Sequence, residues 1–310
     1  MILAAKEVNV RTIVKLTCII QGAMLLSIVV MSQIGIIPDY IFDASTRQRH
    51  GLGFLWTTTG AILYFYFMVL YIYLREERAH LIEYVILEAV NFGLYKLTDA
   101  RMSFYLSTLL LVYVYVMRFY WQNRKDRIRK NRLLIGAPAF FCILAVACQI
   151  FYIPTDARWQ KINSVLSGRL ELGCFGWRDY GFSLLGTKIE WIGFSHNATA
   201  GAYNYVDCSY MQILLENGLI PLVIIIAVYT YIMYMAVKEK DFYLQTAVLL
   251  ITAFSITEPR LLNLAYNPLP FFGITYISLR GRSALFHREG HRLNRRVRFR
   301  TTHVRLKARK

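Results

Sequence analysis

Apolar positions in this chain come in long, nearly unbroken runs separated by short charged stretches. They show neither the two-residue alternation of a half-buried strand nor the narrow stripe of a surface helix. The runs cover residues 16–37, 52–74, 80–97, 102–121, 133–153, 211–237, 242–256 and 264–279. Most approach the length of about 20 residues that a helix needs to cross a bilayer. Backbone polar groups cannot stay unpaired in lipid, so each run is expected to be helical. The third and seventh are short or carry polar residues. The predicted fold is all-α: a polytopic transmembrane helix bundle of about eight spans, with residues 1–279 as one integral-membrane domain.

The pattern breaks once at length, over residues 154–210, between the fifth and sixth runs. Pro154 and glycines 168, 173, 176, 181, 186, 193 and 201 space short elements there. Residues 164–180 are expected to form one surface helix lying on the membrane. Residues 207–217 are expected to begin the sixth helix, with Gly218 and Pro221 as a bend. The sequence shows no internal repeat, no low-complexity stretch and no soluble domain. The first apolar run is span-length and lacks a small-residue cleavage site, so no cleaved signal peptide is expected.

Composition agrees with the pattern. Hydrophobic residues make up 56% of the chain and the mean hydropathy is +0.38, which excludes an ordinary soluble domain. The charge balance, 36 basic against 19 acidic residues, then sets orientation. RKDRIRKNR after the fourth run, REERAH after the second and KEKD after the sixth mark cytoplasmic loops. Lys6, Arg11 and Lys15 put the N-terminus on the same side, as does the basic tail at 280–310. A basic tail can suit nucleic acid, but after a last span it reads as a topology anchor meeting anionic headgroups, so membrane lipids are the expected partner. The segments at 38–51, 98–101, 154–210 and 257–263 are then extracytoplasmic.

Cations on that outer side are informative, because topology does not ask for them. They include Arg101, Arg158, Arg169, Arg178, Lys188 and Arg260. A guanidinium grips phosphate through a bidentate fork and stays charged beside lipid. Arg101 closes the turn Leu97-Thr98-Asp99-Ala100-Arg101, where Asp99 is its simplest partner. Arg169 lies in Ser167-Gly168-Arg169, whose small residues permit close approach. Candidate bases are Glu171, Glu190, His196, Asp207 and Glu258. His196 and Asp207 stand out for their small polar neighbours, although Asp207 also suits a helix N-cap. Aromatic residues crowd the long loop, Trp177 and Tyr210 among them, and fit either an interfacial belt or the apolar face of a glycan. Glu88, Asn91 and Tyr95 share one helical face and keep a proton-coupled transporter in view. Cys174 and Cys208 lie in the long loop and allow a disulfide. No metal-ligand spacing is present, and no cofactor is expected. The triplet Asn197-Ala198-Thr199 is too short a match to weigh.

Three of these places carry a resemblance. The Thr98-Asp99-Ala100-Arg101 turn, the stretch from Ser167-Gly168-Arg169 through Tyr180-Gly181 to Leu185-Gly186, and the closing segment from Asp207 to Gly218 resemble the bacterial O-antigen and capsular-polysaccharide polymerase family, related to O-antigen ligases. Ala100 stands where that family often has serine. Asp207 stands where ligases carry histidine, which favours polymerase. The resemblance implies a metal-independent glycosyltransferase in the bacterial cytoplasmic membrane with both termini inside. It would join undecaprenyl-pyrophosphate-linked repeat units at the outer face, beside flippase and chain-length regulator proteins. Asp207, His196 and Arg169 would be catalytic. Arg101, Arg178, Arg260, Arg158, Lys188, Trp177 and Tyr210 would hold pyrophosphate and glycan. The rival readings are a flippase for lipid-linked oligosaccharide and a non-catalytic membrane subunit of a glycan-assembly complex.

Overall fold

The computed structural model describes residues 9–44, 47–128, 132–193, 203–273 and 275–276. It is 70% helix and 2% strand, so the all-α expectation holds. The α-helices are α1 (Val10–Gln33), α2 (Thr59–Arg75), α3 (Leu81–Thr98), α4 (Arg101–Ile128), α5 (Ala137–Ile150), α6 (Ala157–Val165), α7 (Arg169–Tyr180), α8 (Ser209–Glu216), α9 (Leu219–Lys238) and α10 (Phe242–Phe254). An antiparallel hairpin, β1 (Ile41–Ala44) and β2 (Arg47–His50), stands between α1 and α2. Val10–Gln33, Arg132–Ile150 and Leu219–Lys238 are long and apolar enough to cross a membrane, as in a membrane protein.

Helices α2 and α10 form the centre. Nearly every residue of α10 and most of α2 are buried, and Phe65 meets Phe254 with ring centroids 4.3 Å apart. Helices α1, α3, α4, α5 and α9 surround this pair or flank it and turn large apolar side chains outward. Leu16, Ile20 and Leu26 on α1, Val85 and Ile86 on α3, Ile143 on α5, and Val223 and Ile224 on α9 are all exposed. Exposed to water, such rows would forfeit about 25 cal/mol per Å² of apolar area. Surrounded by hydrocarbon they forfeit none of it, so the surface suits lipid.

Several predicted elements take a different form. The run at 52–74 is helical only from Thr59. Leu52 and Gly53 take left-handed backbone (φ 53° and 83°), and Asp39 Oδ1 accepts the Leu52 N–H at 2.7 Å. Residues 164–180 are not one surface helix: Ser167 and Gly168 (φ 57° and 83°) break the chain between α6 and α7. Helix α7 packs inward, because Gly173 presses on Gln149 of α5, where an added Cβ would sit 1.6 Å from Oε1. The bend expected at Gly218 is a complete break between α8 and α9, with φ 94° and Gly186 N 2.4 Å from where a Cβ would be. Pro221 falls in the first turn of α9, where its missing N–H leaves no helical bond unmade. Of the run at 264–279, residues 264–269 are turns or irregular; 270–273 and 275–276 are helical, and the rest lies outside the described residues. The 280–310 tail also lies outside them.

No disulfide forms. Cys174 packs with Tyr152 and Leu170, while Cys208 lies in the main core, so the two serve separate clusters. The polar face of α3 is structural as well. Glu88 accepts from Thr108 Oγ1 at 2.7 Å, and Asn91 donates to Thr108 and to the Phe104 carbonyl, which zips α3 to α4. Tyr95 stacks on Phe104 with centroids 4.5 Å apart.

Candidate functional site

A cavity of about 530 Å³ opens at the end of the bundle where α2 begins. Stretches from both halves of the chain wall it, and four of these walls have their own local reason for being there.

The hairpin supplies Phe42 and Arg49, which are directly opposed in register. A two-stranded hairpin is marginal alone, and Asp39 clamps this one at its base. Asp39 Oδ2 meets His50 Nδ1 at 2.6 Å, and Gly51 N–H bonds to the Tyr40 carbonyl at 2.9 Å. Arg49 Nη2 then donates to Asp99 Oδ2 at 3.2 Å, tying the hairpin to the α3–α4 turn.

The second wall is the start of α2. Thr57, Thr58 and Thr59 line the cavity, and Thr58, at the N-cap position, makes no side-chain bond to the first turn. The positive dipole end of a 17-residue helix therefore borders the site.

Arg169, the first residue of α7, forms the third. Gly168 has no side chain to cap the helix, and Asn163 of α6 does so instead. Its Oδ1 accepts from Leu170 N and Glu171 N at 3.1 and 3.3 Å, and its Nδ2 donates to Tyr152 Oη at 3.2 Å. Asn163→Ala is expected to cost about 1–2 kcal/mol, the loss of a cap and buried hydrogen bonds. A lowered melting temperature in detergent would report it.

The fourth wall joins Asp207, just before α8, to Glu258-Pro259-Arg260 after α10. Ser209 makes the junction. Its N–H donates to the Ser255 carbonyl at 2.9 Å, its Oγ donates to the Glu258 carbonyl at 2.6 Å, and that Oγ accepts from Leu261 N at 3.2 Å.

At the centre, Arg169 Nη2 donates to Glu258 Oε1 at 3.0 Å, and its Nε lies 3.7 Å from Asp207 Oδ2. The Glu258 side chain is only 8% exposed, against 26% for Asp207. Burial raises the Glu258 carboxyl to about 7, with Arg169 opposing and Asp207 adding to the rise. Burial also raises Asp207, opposed by Arg169 and then Arg260. Burial pushes the Tyr203 hydroxyl to about 12, with Asp207 adding to the effect, so it remains a neutral donor. Arg260 lies over the Tyr266 ring, 5.1 Å from its centroid. The Nε groups of Arg49, Arg169 and Arg260 are all buried without a hydrogen-bond partner. Three guanidiniums around one cavity suit a multiply charged anion.

The sequence candidates divide accordingly. Arg169, Arg260 and Asp207 come together in the cavity. Arg101 pairs with Asp99 at 3.4 Å and stays exposed, so it reaches the cavity only through the carboxylate that also holds Arg49. Arg158, Arg178 and Lys188 are exposed on other surfaces and do not line the cavity, and Trp177 packs against the core. Tyr210 faces inward, fully buried, with its hydroxyl donating to the Thr252 carbonyl at 2.6 Å. That bond locks α8 to α10 and removes Tyr210 from any substrate-facing role. His196 lies outside the described residues. Arg49, Phe42, Trp56 and the three threonines are absent from the candidate set. Arg49 meets the very criterion that selected Arg169, a cation in a segment expected outside. Among the described residues no group of His, Cys, Asp and Glu side chains could hold a metal ion.

No protein-family model, curated protein or solved structure matches the chain.

Proposed function

We propose that this chain is a membrane polysaccharide polymerase, joining glycan repeat units carried on undecaprenyl pyrophosphate at the outer face of the bacterial cytoplasmic membrane. The observation that carries the reading is the convergence of Arg49, Arg169 and Arg260 beside two carboxylates at one end of an apolar-surfaced bundle. The sequence resemblance at the Thr98–Arg101 turn, at Ser167–Arg169 and over 207–218 supplies the substrate class. Orientation rests on the lysine and arginine loops, which put both termini inside and the cavity outside. The eight-span count belongs to the same reading.

Chemically, the bond between the donor sugar's anomeric carbon and the diphosphate oxygen breaks, and the electron pair leaves with the lipid diphosphate. A hydroxyl oxygen of the acceptor sugar forms the new glycosidic bond. Its proton passes to Asp207, the more open of the two carboxylates. The guanidiniums and the start of α2 stabilise the charge that grows on the leaving diphosphate. Glu258 holds Arg169 in place. Glu88, the carboxylate that keeps a transporter in view, bonds Thr108 across the α3–α4 contact at 2.7 Å, which favours the polymerase reading over the flippase.

Purified protein in liposomes, given lipid-pyrophosphate-linked repeat units, is expected to give a ladder of product lengths on a gel. Transfer of substrate across the bilayer without new linkages would instead favour a flippase. In cells, Lys188→Cys is expected to react with a membrane-impermeant maleimide and Lys238→Cys is not. The reverse labelling would put the cavity in the cytosol and end the proposal.

A further inference from the structure

We infer that the hairpin and the turn preceding α2 form a reader for the junction between diphosphate and sugar: Arg49 takes the diphosphate, and the Trp56 ring, braced by Phe42, carries the first sugar ring attached to it. This inference rests on the function proposed above and names the part of the site that recognises the donor.

The geometry begins with strand register. Phe42 and Arg49 are a cross-strand pair, so their side chains leave the same face of the hairpin. Both line the cavity, and Phe42 stacks with Trp56, ring centroids 6.1 Å apart and planes 18° from parallel. Cation and ring pair are therefore fixed to each other by four residues of strand on each side. Arg49 is anchored by Asp99 at 3.2 Å and keeps its charge at the cavity wall.

The lining is the second argument. A polyprenyl tail asks for aliphatic walls, but among the described residues that line the cavity only Ile62 and Pro259 carry aliphatic side chains. Rings and hydroxyls dominate instead: Trp56, Tyr203 and Tyr205 with Thr57, Thr58 and Thr59. A sugar ring presents apolar C–H faces and a rim of hydroxyls, and it needs both kinds of surface. Gly193 completes the slot. A Cβ there would come 3.9 Å from Trp56 Cζ2, so any larger side chain would occupy the space beside the ring. The lipid tail accordingly stays outside, along the apolar surface of the bundle.

Equilibrium binding to the full-length protein in detergent tests this with two probes, farnesyl diphosphate and the same diphosphate carrying a single glucose, galactose or N-acetylglucosamine. The wild type is expected to bind at least one glycosyl form about fivefold more tightly than bare farnesyl diphosphate, the size of one aromatic contact. Trp56→Ala should erase that preference and leave farnesyl diphosphate affinity within about twofold. Arg49→Ala should weaken both probes by about tenfold, the loss of one charge-assisted contact. Gly193→Val keeps the ring but fills the slot, and should also erase the sugar preference. A preference that survives in Trp56→Ala, or an equal loss of both probes in that variant, overturns the inference. If the wild type binds neither probe, the inference and the reading beneath it both fall. Polymer formation is not measured here, so an absent ladder would remove the polymerase reading while leaving a demonstrated sugar preference intact.

Discussion

Arg169→Ala is expected to lower linkage formation by about a thousandfold, the scale set by removing one preorganised donor from a developing oxyanion. Arg169 is the cation placed between the two carboxylates, 3.0 Å from Glu258 and 3.7 Å from Asp207. Its loss removes positive charge from the leaving diphosphate and leaves two acids facing each other. The fold should survive at neutral pH. Arg169 is the stronger of the two arginines that oppose the rise of the Glu258 carboxyl, already at about 7, so without it Glu258 takes up a proton more readily and avoids a buried, unpaired charge. A melting curve at pH 6 close to that of the wild type would therefore separate lost chemistry from lost structure. Arg169→Lys keeps the charge but not the fork that reaches both acids. It should restore part of the rate, within about one order of magnitude of the wild type. Ladder assays of the three proteins at equal amounts in liposomes check this, and an unchanged rate in Arg169→Ala would take Arg169 out of the reaction.

The helical class was legible because lipid suppresses the polar–apolar alternation that would otherwise blur helix and strand. What the runs did not reveal is which helices lie inside. Helices α2 and α10, buried along most of their length, include tyrosines, threonines and Gln245, which lower their apolarity; Tyr64 donates to the Leu87 carbonyl and Gln245 Nε2 to that of Ala236. A bend was legible at Gly218, with Pro221 nearby, but not the complete break between α8 and α9 that the structure has. The break before α7 involves Ser167 at φ 57°, a conformation that sequence rarely announces for a non-glycine residue. The hairpin escaped because its strands are four residues each and β2 reads Arg-Gln-Arg-His, with no apolar alternation to mark it.

The site was half legible for a similar reason. Arg169, Arg260 and Asp207 were found by sign and side, which are properties of single residues. Glu258, a candidate base by the same reading, is held in place by the Ser209 clip that spans 49 residues to its carbonyl, whereas Trp56 owes its place to the stack with Phe42. Tyr210 was misplaced because an aromatic next to a candidate base gives no clue to its direction. It follows Asp207 by three residues, and in the structure that offset sends it into α10 rather than into the cavity.

Glu258 gives the second large effect, and it is one of pH. Its carboxyl stands at about 7 in the folded protein, above an ordinary value of 4.5, so the folded chain holds the proton more tightly than the unfolded one. Stability from this group is complete below 4.5 and is lost as pH rises to about 7, a fall on the order of 3 kcal/mol. Ligand binding should follow the same proton. Ionised Glu258 competes with diphosphate for Arg169, whereas the neutral acid leaves that guanidinium to the ligand. A glycosyl lipid diphosphate is a diester, so it lacks the terminal phosphate proton that titrates near pH 6 in a monoester. Its affinity for the wild type is expected to drop about tenfold between pH 6 and pH 8, one proton's worth of linkage. Glu258→Gln should bind at pH 8 about as well as the wild type does at pH 6, and its melting temperature should change less across the same interval. Asp207, also raised and facing the same arginines, remains in the variant as an internal control. A pH dependence undiminished in Glu258→Gln would assign the titration to Asp207 and detach Glu258 from the control of Arg169.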